Sequence, residues 1–151
     1  MILGIYTTSA AGEPMRGHDR IAVSPGAGLA GDRYASGGGH WSYRASYVNE
    51  ITFIEAEAVE RLCSELGIAP IDPARLRRNV VTRGVALQGL IAREFAIGDA
   101  LFRGVRPCDP CAYLEGLLGI PLRATLAEHG GLRASVVRAG TIAVSEAIVI
   151  R

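Results

Sequence analysis

Residues 95–105 read Phe95-Ala96-Ile97-Gly98-Asp99-Ala100-Leu101-Phe102-Arg103-Gly104-Val105. On both sides of Gly98-Asp99 the pattern is that of an extended segment, and Gly98-Asp99 itself is typical of a turn or a bulge. The stretch therefore predicts a strand that breaks at Gly98-Asp99 and then resumes.

Similar short apolar runs recur along the chain, separated by many of its 19 glycines. The predicted strands cover residues 2–7, 21–24, 48–53, 79–82, 95–105, 132–137 and 141–150, the last with a break around Ser145-Glu146. A single long helix is predicted over residues 55–66, where apolar residues recur at intervals of three and four and Gly67 ends the pattern. Short strands with little helix predict a mainly β fold, a closed or nearly closed β-barrel with a few short helices and no parallel β-α-β rhythm.

Length and composition limit the function classes. With 151 residues, of which 49% are hydrophobic, the chain is expected to form one domain over residues 1–151 with a substantial core. A formal net charge of +1 argues against a large nucleic-acid-binding surface, which needs a clustered basic excess. No apolar run approaches the roughly 18 residues of a membrane span. The first residues lack the pattern of a signal peptide, so a cytoplasmic protein is expected.

Two cysteines lie close together in Cys108-Asp109-Pro110-Cys111. Asp109 suits the N-cap and Pro110 the first position of a short helix that continues over residues 112–118 and ends near Gly119. Cys111 would then lie in the first turn, where the unpaired N–H groups and the helix dipole favour a thiolate. Because a thiolate binds soft metals or carries sulfur, Cys111 is the first candidate for catalysis and metal binding, and Cys108 is the second.

The cysteine count constrains the chemistry further. An odd number argues against a secreted disulfide framework, and a close pair in a reducing compartment indicates redox, metal or sulfur chemistry. Cys63 falls on the apolar face of the predicted helix and is expected to be a buried packing residue. A zinc site built from the close pair and two distant histidines is an open alternative.

Three further segments carry polar side chains or glycine in suggestive patterns. Arg77-Arg78-Asn79 precedes an apolar run, and two guanidinium groups with an amide at the mouth of a strand suit an oxyanion, although a surface ion pair is the alternative for either arginine alone. Gly28-Leu29-Ala30-Gly31-Asp32-Arg33 indicates a tight turn with a local ion pair, not a Walker A loop or a dinucleotide fingerprint. Residues 36–47 form a long glycine-rich loop, of a kind that is usually functional or mobile.

Taken in order, five segments resemble the MOSC family, the domain found at the C-terminus of molybdenum cofactor sulfurases and as stand-alone bacterial proteins. They are residues 28–33, 51–58, 77–84 and 95–101, and the Cys108-to-Cys111 run with Leu114-Glu115. The resemblance covers nearly the whole chain. Its strongest part is the arginine-asparagine strand, followed by Ile-Gly-Asp and then by the cysteine pair.

The resemblance implies a mainly β barrel that holds a molybdenum cofactor, that is, a molybdopterin, or a sulfur species. A cysteine in the position of Cys111 looks like the molybdenum ligand, residues similar to Arg77 and Asn79 contact the pterin and its phosphate, and Asp109 resembles a position near the metal. The implied cofactor-binding residues are Arg77, Arg78, Asn79, Asp109, Asp32 and Arg33. Pyridoxal phosphate binding is a further property that the resemblance implies.

The leading hypothesis is a protein that binds the molybdenum cofactor or carries sulfur for its maturation through Cys111. The sulfur would come from a separate cysteine desulfurase, because the chain contains no desulfurase domain. One alternative is a molybdenum-dependent reductase of N-hydroxylated compounds that receives electrons from an electron-transfer protein. Another is a cofactor-free dithiol redox protein that uses Cys108 and Cys111. A ligand-binding barrel with purely structural cysteines is the fourth.

Overall fold

The structure is a computed structural model that describes residues 1–43 and 50–151. Its strands are β1 (Ile2–Thr7), β2 (Arg16–His18), β3 (Arg20–Ser24), β4 (Gly28–Leu29), β5 (Ile51–Glu55), β6 (Val80–Thr82), β7 (Glu94–Ile97), β8 (Ala100–Pro107), β9 (Leu132–Arg138), β10 (Gly140–Ala143) and β11 (Val149–Ile150). Its helices are α1 (Ala56–Leu66) and α2 (Ala112–Leu118), with short 3₁₀ turns at Pro73–Leu76 and Leu87–Leu90. No helix in these two ranges is long and apolar enough to cross a membrane. The predicted mainly β fold with a few short helices is confirmed.

Eight strands form one curled sheet, a half-barrel, in the order β11-β7-β8-β9-β5-β6-β1-β2, and β10, β3 and β4 form a second sheet. Strands β5 and β6 run parallel, with Phe53 opposite Val80, and α1 connects them. This β-α-β unit corrects the expectation that no such unit is present. Because four of the five residues of β5 and all three of β6 are buried, these strands are short apolar runs without the alternation of a half-exposed strand.

The stretch around Gly98 forms the hairpin of β7 and β8, with Ile97 opposite Ala100. Gly98 has a φ of +53°, and a Cβ there would lie 2.6 Å from the carbonyl oxygen of Thr141. The turn therefore requires glycine at this position for two reasons, its backbone conformation and the lack of space for a side chain. The break predicted around Ser145-Glu146 is also present, since β10 ends at Ala143 and Ser145 has a φ of +73°. Of the predicted strand over 48–53, residues 48 and 49 lie outside the described residues, and β5 begins at Ile51.

Two clusters of buried side chains make up the core. One lies within the sheets and includes Phe53, Phe95 and Phe102, whose ring centroids are 5.5 to 5.9 Å apart. The other joins α1 to α2 and includes Leu114 and Cys63. The predicted packing role of Cys63 is confirmed, because only 7% of this residue is exposed. This second cluster packs α2, and Cys111 just before it, against the buried side of α1 and against β5 and β6.

Candidate functional site

A pocket opens where the Cys108-to-Cys111 segment, the start of β6 and the glycine-rich loop meet. The space in it that a water-sized group can enter is about 40 Å³, and the whole depression, including open solvent, is about 470 Å³. The ionisable groups among its described lining residues are Arg33, Tyr34, His40, Arg77, Arg78, Asp109, Cys111, Tyr113 and Arg133. The pocket is therefore rich in positive charge and contains one thiol among these residues.

Cys111 and Cys108 have different surroundings, although they are three residues apart. Cys111 is half-buried and lines the pocket, whereas Cys108 is only 1% exposed and is not among the lining residues. The N–H of Cys108 donates to the carbonyl of Gly131 at 2.8 Å, which extends the pairing of β8 with β9. A Cβ on the neighbouring Gly130 would lie 2.5 Å from the carbonyl oxygen of Cys108, so the close approach requires glycine.

The helix after the cysteine pair begins later than predicted. Its N-cap is Cys111, with φ −133° and ψ 164°, and not Asp109, and Pro110 lies before the helix. The reason is that residues 108 and 109 are held by partners from elsewhere in the chain, namely Gly131 and Arg78. The predicted end is confirmed, since Gly119 is the C-cap with a φ of +66°.

Arg78 is a buried residue of the pocket lining whose guanidinium bonds to the backbone of neighbouring segments. Its Nε donates to the carbonyl of Gly130 at 2.9 Å and its Nη1 to that of Leu76 at 3.3 Å. Its Nη2 donates to the carbonyls of Cys108 and Asp109 at 3.2 and 3.4 Å. All three nitrogens of this guanidinium are thus used within the protein, and they hold the cysteine segment in place.

Arg77 has a different environment. It adopts a left-handed conformation with a φ of +58° at the end of the turn Pro73–Leu76. Its Nη1 donates to the carbonyl of Glu13 at 2.6 Å, whereas its Nη2 is buried and has no hydrogen-bond partner within the described part of the chain. Burial, together with the positive charge of Arg33, lowers the pKa of Arg77 from its ordinary value. The charge of Asp32 acts in the opposite direction, and within residues 1–43 and 50–151 no carboxylate forms a salt bridge with this guanidinium.

Asp32 and Arg33 form the local ion pair that was predicted for their turn. Arg33 Nη1 lies 3.2 Å from Asp32 Oδ1, and both side chains are buried. Asp32 also accepts from the backbone N–H of Thr8 at 3.2 Å and does not line the pocket. Arg33 lines it, and its Nη2 donates to the carbonyl of Arg77 at 3.1 Å. The pair therefore ties the turn to the chain just before β6.

Asn79 is fully buried and lies outside the pocket lining. Its Oδ1 accepts from both the backbone N–H and the hydroxyl of Thr52, at 3.1 and 3.0 Å, and its Nδ2 donates to the carbonyl of Tyr6 at 3.2 Å. These bonds join β5, β6 and β1. Of the implied cofactor-binding residues, the structure brings Arg33, Arg77, Arg78 and Asp109 to the pocket with Cys111, and it places Asp32 and Asn79 beneath it.

The aromatic wall of the pocket was not predicted. The rings of His40 and Tyr113 are stacked, with centroids 3.8 Å apart and an interplanar angle of 4°. Trp41 meets His40 edge-on at 4.8 Å, and the guanidinium of Arg33 lies 4.7 Å from the ring centre of Tyr34. The available signal was His40-Trp41 within the glycine-rich loop. Part of that loop, residues 44–47, lies outside the described residues.

Arg133 was also missed. It lies on β9 opposite Thr52, is 7% exposed and lines the pocket. An arginine inside an otherwise apolar strand, Leu132-Arg133-Ala134-Ser135-Val136, was the signal that could have identified it.

The side chains present limit which groups the site could hold. Among residues 1–43 and 50–151, no three His, Cys, Asp or Glu side chains are grouped so that they could hold a metal ion, which leaves the zinc alternative without a ligand set there. Pyridoxal phosphate does not fit either, because the sequence contains no lysine to form a Schiff base with it.

Comparison with known proteins gives a family and a fold. A family model described as the MOSC domain matches residues 42–149. The structure of the YUAD protein from Bacillus subtilis is similar to this one with a TM-score of 0.83 and 18% identity, over 99% of this chain and 93% of that chain. YiiM from Geobacillus stearothermophilus is similar with a TM-score of 0.77 and 15% identity, over 100% of this chain and 74% of that chain. YiiM from Escherichia coli is similar with a TM-score of 0.70 and 17% identity, over 100% of this chain and 70% of that chain. No curated protein matches the chain.

Proposed function

Since the chain belongs to the MOSC domain family, we propose that it serves the molybdenum cofactor through Cys111, either by binding the cofactor or by carrying sulfur for its maturation. The observation that supports this most directly is the position of Cys111, a half-buried thiol at a pocket lined by four arginines. A thiolate is a soft ligand and a sulfur nucleophile, and arginines bind phosphate and other anions.

The donor set fits a molybdenum cofactor in its chemistry. Cys111 would supply a thiolate ligand, and the buried Nη2 of Arg77, which has no hydrogen-bond partner in the ranges that the structure describes, would hold an anionic part of the pterin. When bound, molybdenum supplies two-electron oxidation and reduction. The accessible space of about 40 Å³ is much smaller than the roughly 300–1,000 Å³ of ordinary ligand pockets, so a pterin would also occupy the open part of the depression.

The alternatives draw less support from the structure. In a dithiol couple Cys111 would be the thiol that reacts with partners, because Cys108 is 1% exposed and lies outside the pocket lining. Such a couple would leave the arginines of the pocket without a role. A molybdenum-dependent reductase would use the same Cys111 site and would differ from a carrier by turnover with an electron donor.

The test is elemental analysis for molybdenum combined with intact-mass spectrometry on protein purified anaerobically from a host that makes the cofactor. We expect either stoichiometric molybdenum or one added sulfur on the wild type. Cys111→Ala should lose that signal, and Cys63→Ala, which removes a buried thiol outside the pocket, should keep it. The absence of both molybdenum and an added sulfur from the wild-type protein would refute the proposal.

A further inference from the structure

The pocket concentrates positive charge on arginines that are mostly buried. Of its four arginines, Arg33, Arg78 and Arg133 are 4%, 8% and 7% exposed. The carboxylate among the described lining residues is that of Asp109, an exposed residue at the rim. Asp32 already compensates Arg33, so an added anion would act on the partly buried charge of Arg77, because buried charges are costly unless they are compensated.

Arg77 provides the donor for such an anion. The guanidinium of Arg78 donates its hydrogen bonds to backbone carbonyls. The guanidinium of Arg33 donates to Asp32, to the sulfur of Met15 and to the carbonyl of Arg77. In contrast, the buried Nη2 of Arg77 has no partner among the residues that the structure describes. A bound oxyanion would accept this N–H and would compensate the charge.

The accessible space of the pocket favours a small ligand. A single water requires about 10–15 Å³, so about 40 Å³ accommodates a few water-sized groups. That space suits a compact oxyanion with a single tetrahedral centre.

We propose that this pocket takes a small sulfane-sulfur oxyanion of the thiosulfate class, which loads Cys111 directly. The inference rests on the proposed sulfur-carrying role of Cys111 and specifies its donor. The Cys111 thiolate attacks the outer sulfur of thiosulfate, a new S–S bond forms at Cys111, and the S–SO₃ bond breaks. The electron pair of that bond leaves with sulfite, so the products are Cys111 persulfide and sulfite, and no further oxidant is needed.

The experiment uses the full chain, first reduced and desalted and then incubated with thiosulfate over a range of concentrations. Sulfite release and the added mass of one sulfur on the peptide that contains Cys111 are measured. Arg77→Gln is compared with Arg75→Gln, a change in an exposed arginine two residues away that does not line the pocket. Alkylation of Cys111 by iodoacetamide, a neutral reagent, reports whether the thiol remains accessible in each variant.

We expect saturable loading with one sulfite per persulfide, and competition by sulfate. Arg77→Gln should raise the half-saturating thiosulfate concentration by about tenfold or more, because it loses a charge-assisted hydrogen bond, and should leave alkylation unchanged. Arg75→Gln should behave as wild type.

Three results would overturn the inference. Loading by a cysteine desulfurase with L-cysteine but not by thiosulfate would reject the small donor and leave the carrier role standing. Loading by neither donor would reject the carrier role as well. Thiosulfate loading that is equally efficient in Arg77→Gln would reject Arg77 as the anion donor.

Discussion

Nη2 of Arg78 donates a hydrogen bond to the backbone carbonyl of Cys108 at 3.2 Å. This contact joins the start of β6 to the segment that carries both close cysteines. Arg77, one residue earlier, has a buried nitrogen without a partner in the described part of the chain. Two adjacent arginines that look equivalent in the sequence therefore have separate tasks, one that holds the backbone and one that is available to a ligand.

Arg78→Met should destabilise the protein by about 2–4 kcal/mol, because it leaves up to four buried carbonyls without their donor. Urea unfolding monitored by circular dichroism measures this loss. Arg75→Met, at an exposed position, is the control and should stay within about 0.5 kcal/mol of wild type. A stable Arg78→Met protein that no longer binds anions would instead make Arg78 a direct ligand contact.

Asn79→Ala should act on stability and not directly on a ligand. The side chain is fully buried and holds Thr52 and the carbonyl of Tyr6, so its loss leaves several polar groups unpaired and should cost about 2–3 kcal/mol. The melting temperature and the affinity for sulfate, measured on the same samples, separate the two effects. Unchanged stability with weakened sulfate binding would support the pterin-contact role implied by the family resemblance.

The three cysteines should differ in their reactivity toward iodoacetamide in the native protein. Cys111 is half-buried and faces the pocket, whereas Cys108 and Cys63 are 1% and 7% exposed. Brief alkylation followed by peptide mapping should label Cys111 first, and the other two should react only after denaturant is added. Equal labelling of Cys108 and Cys111 in the folded protein would revive the dithiol alternative.

Stability should fall in acid partly through Glu57, whose Oε1 accepts from the N–H of Gly84 at 2.8 Å. Burial alone would raise the pKa of Glu57, but the bond from Gly84 and the charge of Arg83 outweigh it, so the pKa lies below its ordinary 4.5. A carboxylate with a lowered folded pKa stabilises the fold above the unfolded pKa, and this contribution is lost as the pH falls through the folded pKa.

Glu57→Gln should therefore be less stable than wild type near neutral pH, and the difference should shrink as the pH falls below about 4.5. Urea unfolding at several pH values measures this difference in the free energy of unfolding. Glu65→Gln, at an exposed position of the same helix, is the control. A difference between Glu57→Gln and wild type that stays constant across this range would contradict the assignment.

The fold was predictable where one face of an element is buried and the other exposed. Residues 2–7 were predicted as a strand with the bounds of β1, and residues 55–66 differ from α1 by one residue. The parallel pairing of β5 with β6 was not predictable, because such buried strands carry no alternation that would show direction or partner. The short β2 and β4 carry too few residues for a pattern.

The site was predictable only as far as local chemistry reaches. Cys111 and Arg77 were proposed from their neighbours in the sequence, and the structure places both in the lining of one pocket. Arg133 and Tyr113 were missed because their pairing with the pocket depends on contacts between distant segments. The same distance dependence explains the late start of α2, which follows from Arg78 and Gly131 and not from Asp109 or Pro110.

The pocket draws its walls from four separated parts of the chain, around Arg33, Arg77, Cys111 and Arg133. During synthesis the ribosome releases these parts in order, and β9, which carries Arg133, is made well after the others. Until β9 has been added between β8 and β5, the Gly131 carbonyl cannot accept from the N–H of Cys108, and Arg133 cannot join the pocket lining. Under the proposed function, loading of Cys111 would therefore follow the pairing of β9 with β8 and β5.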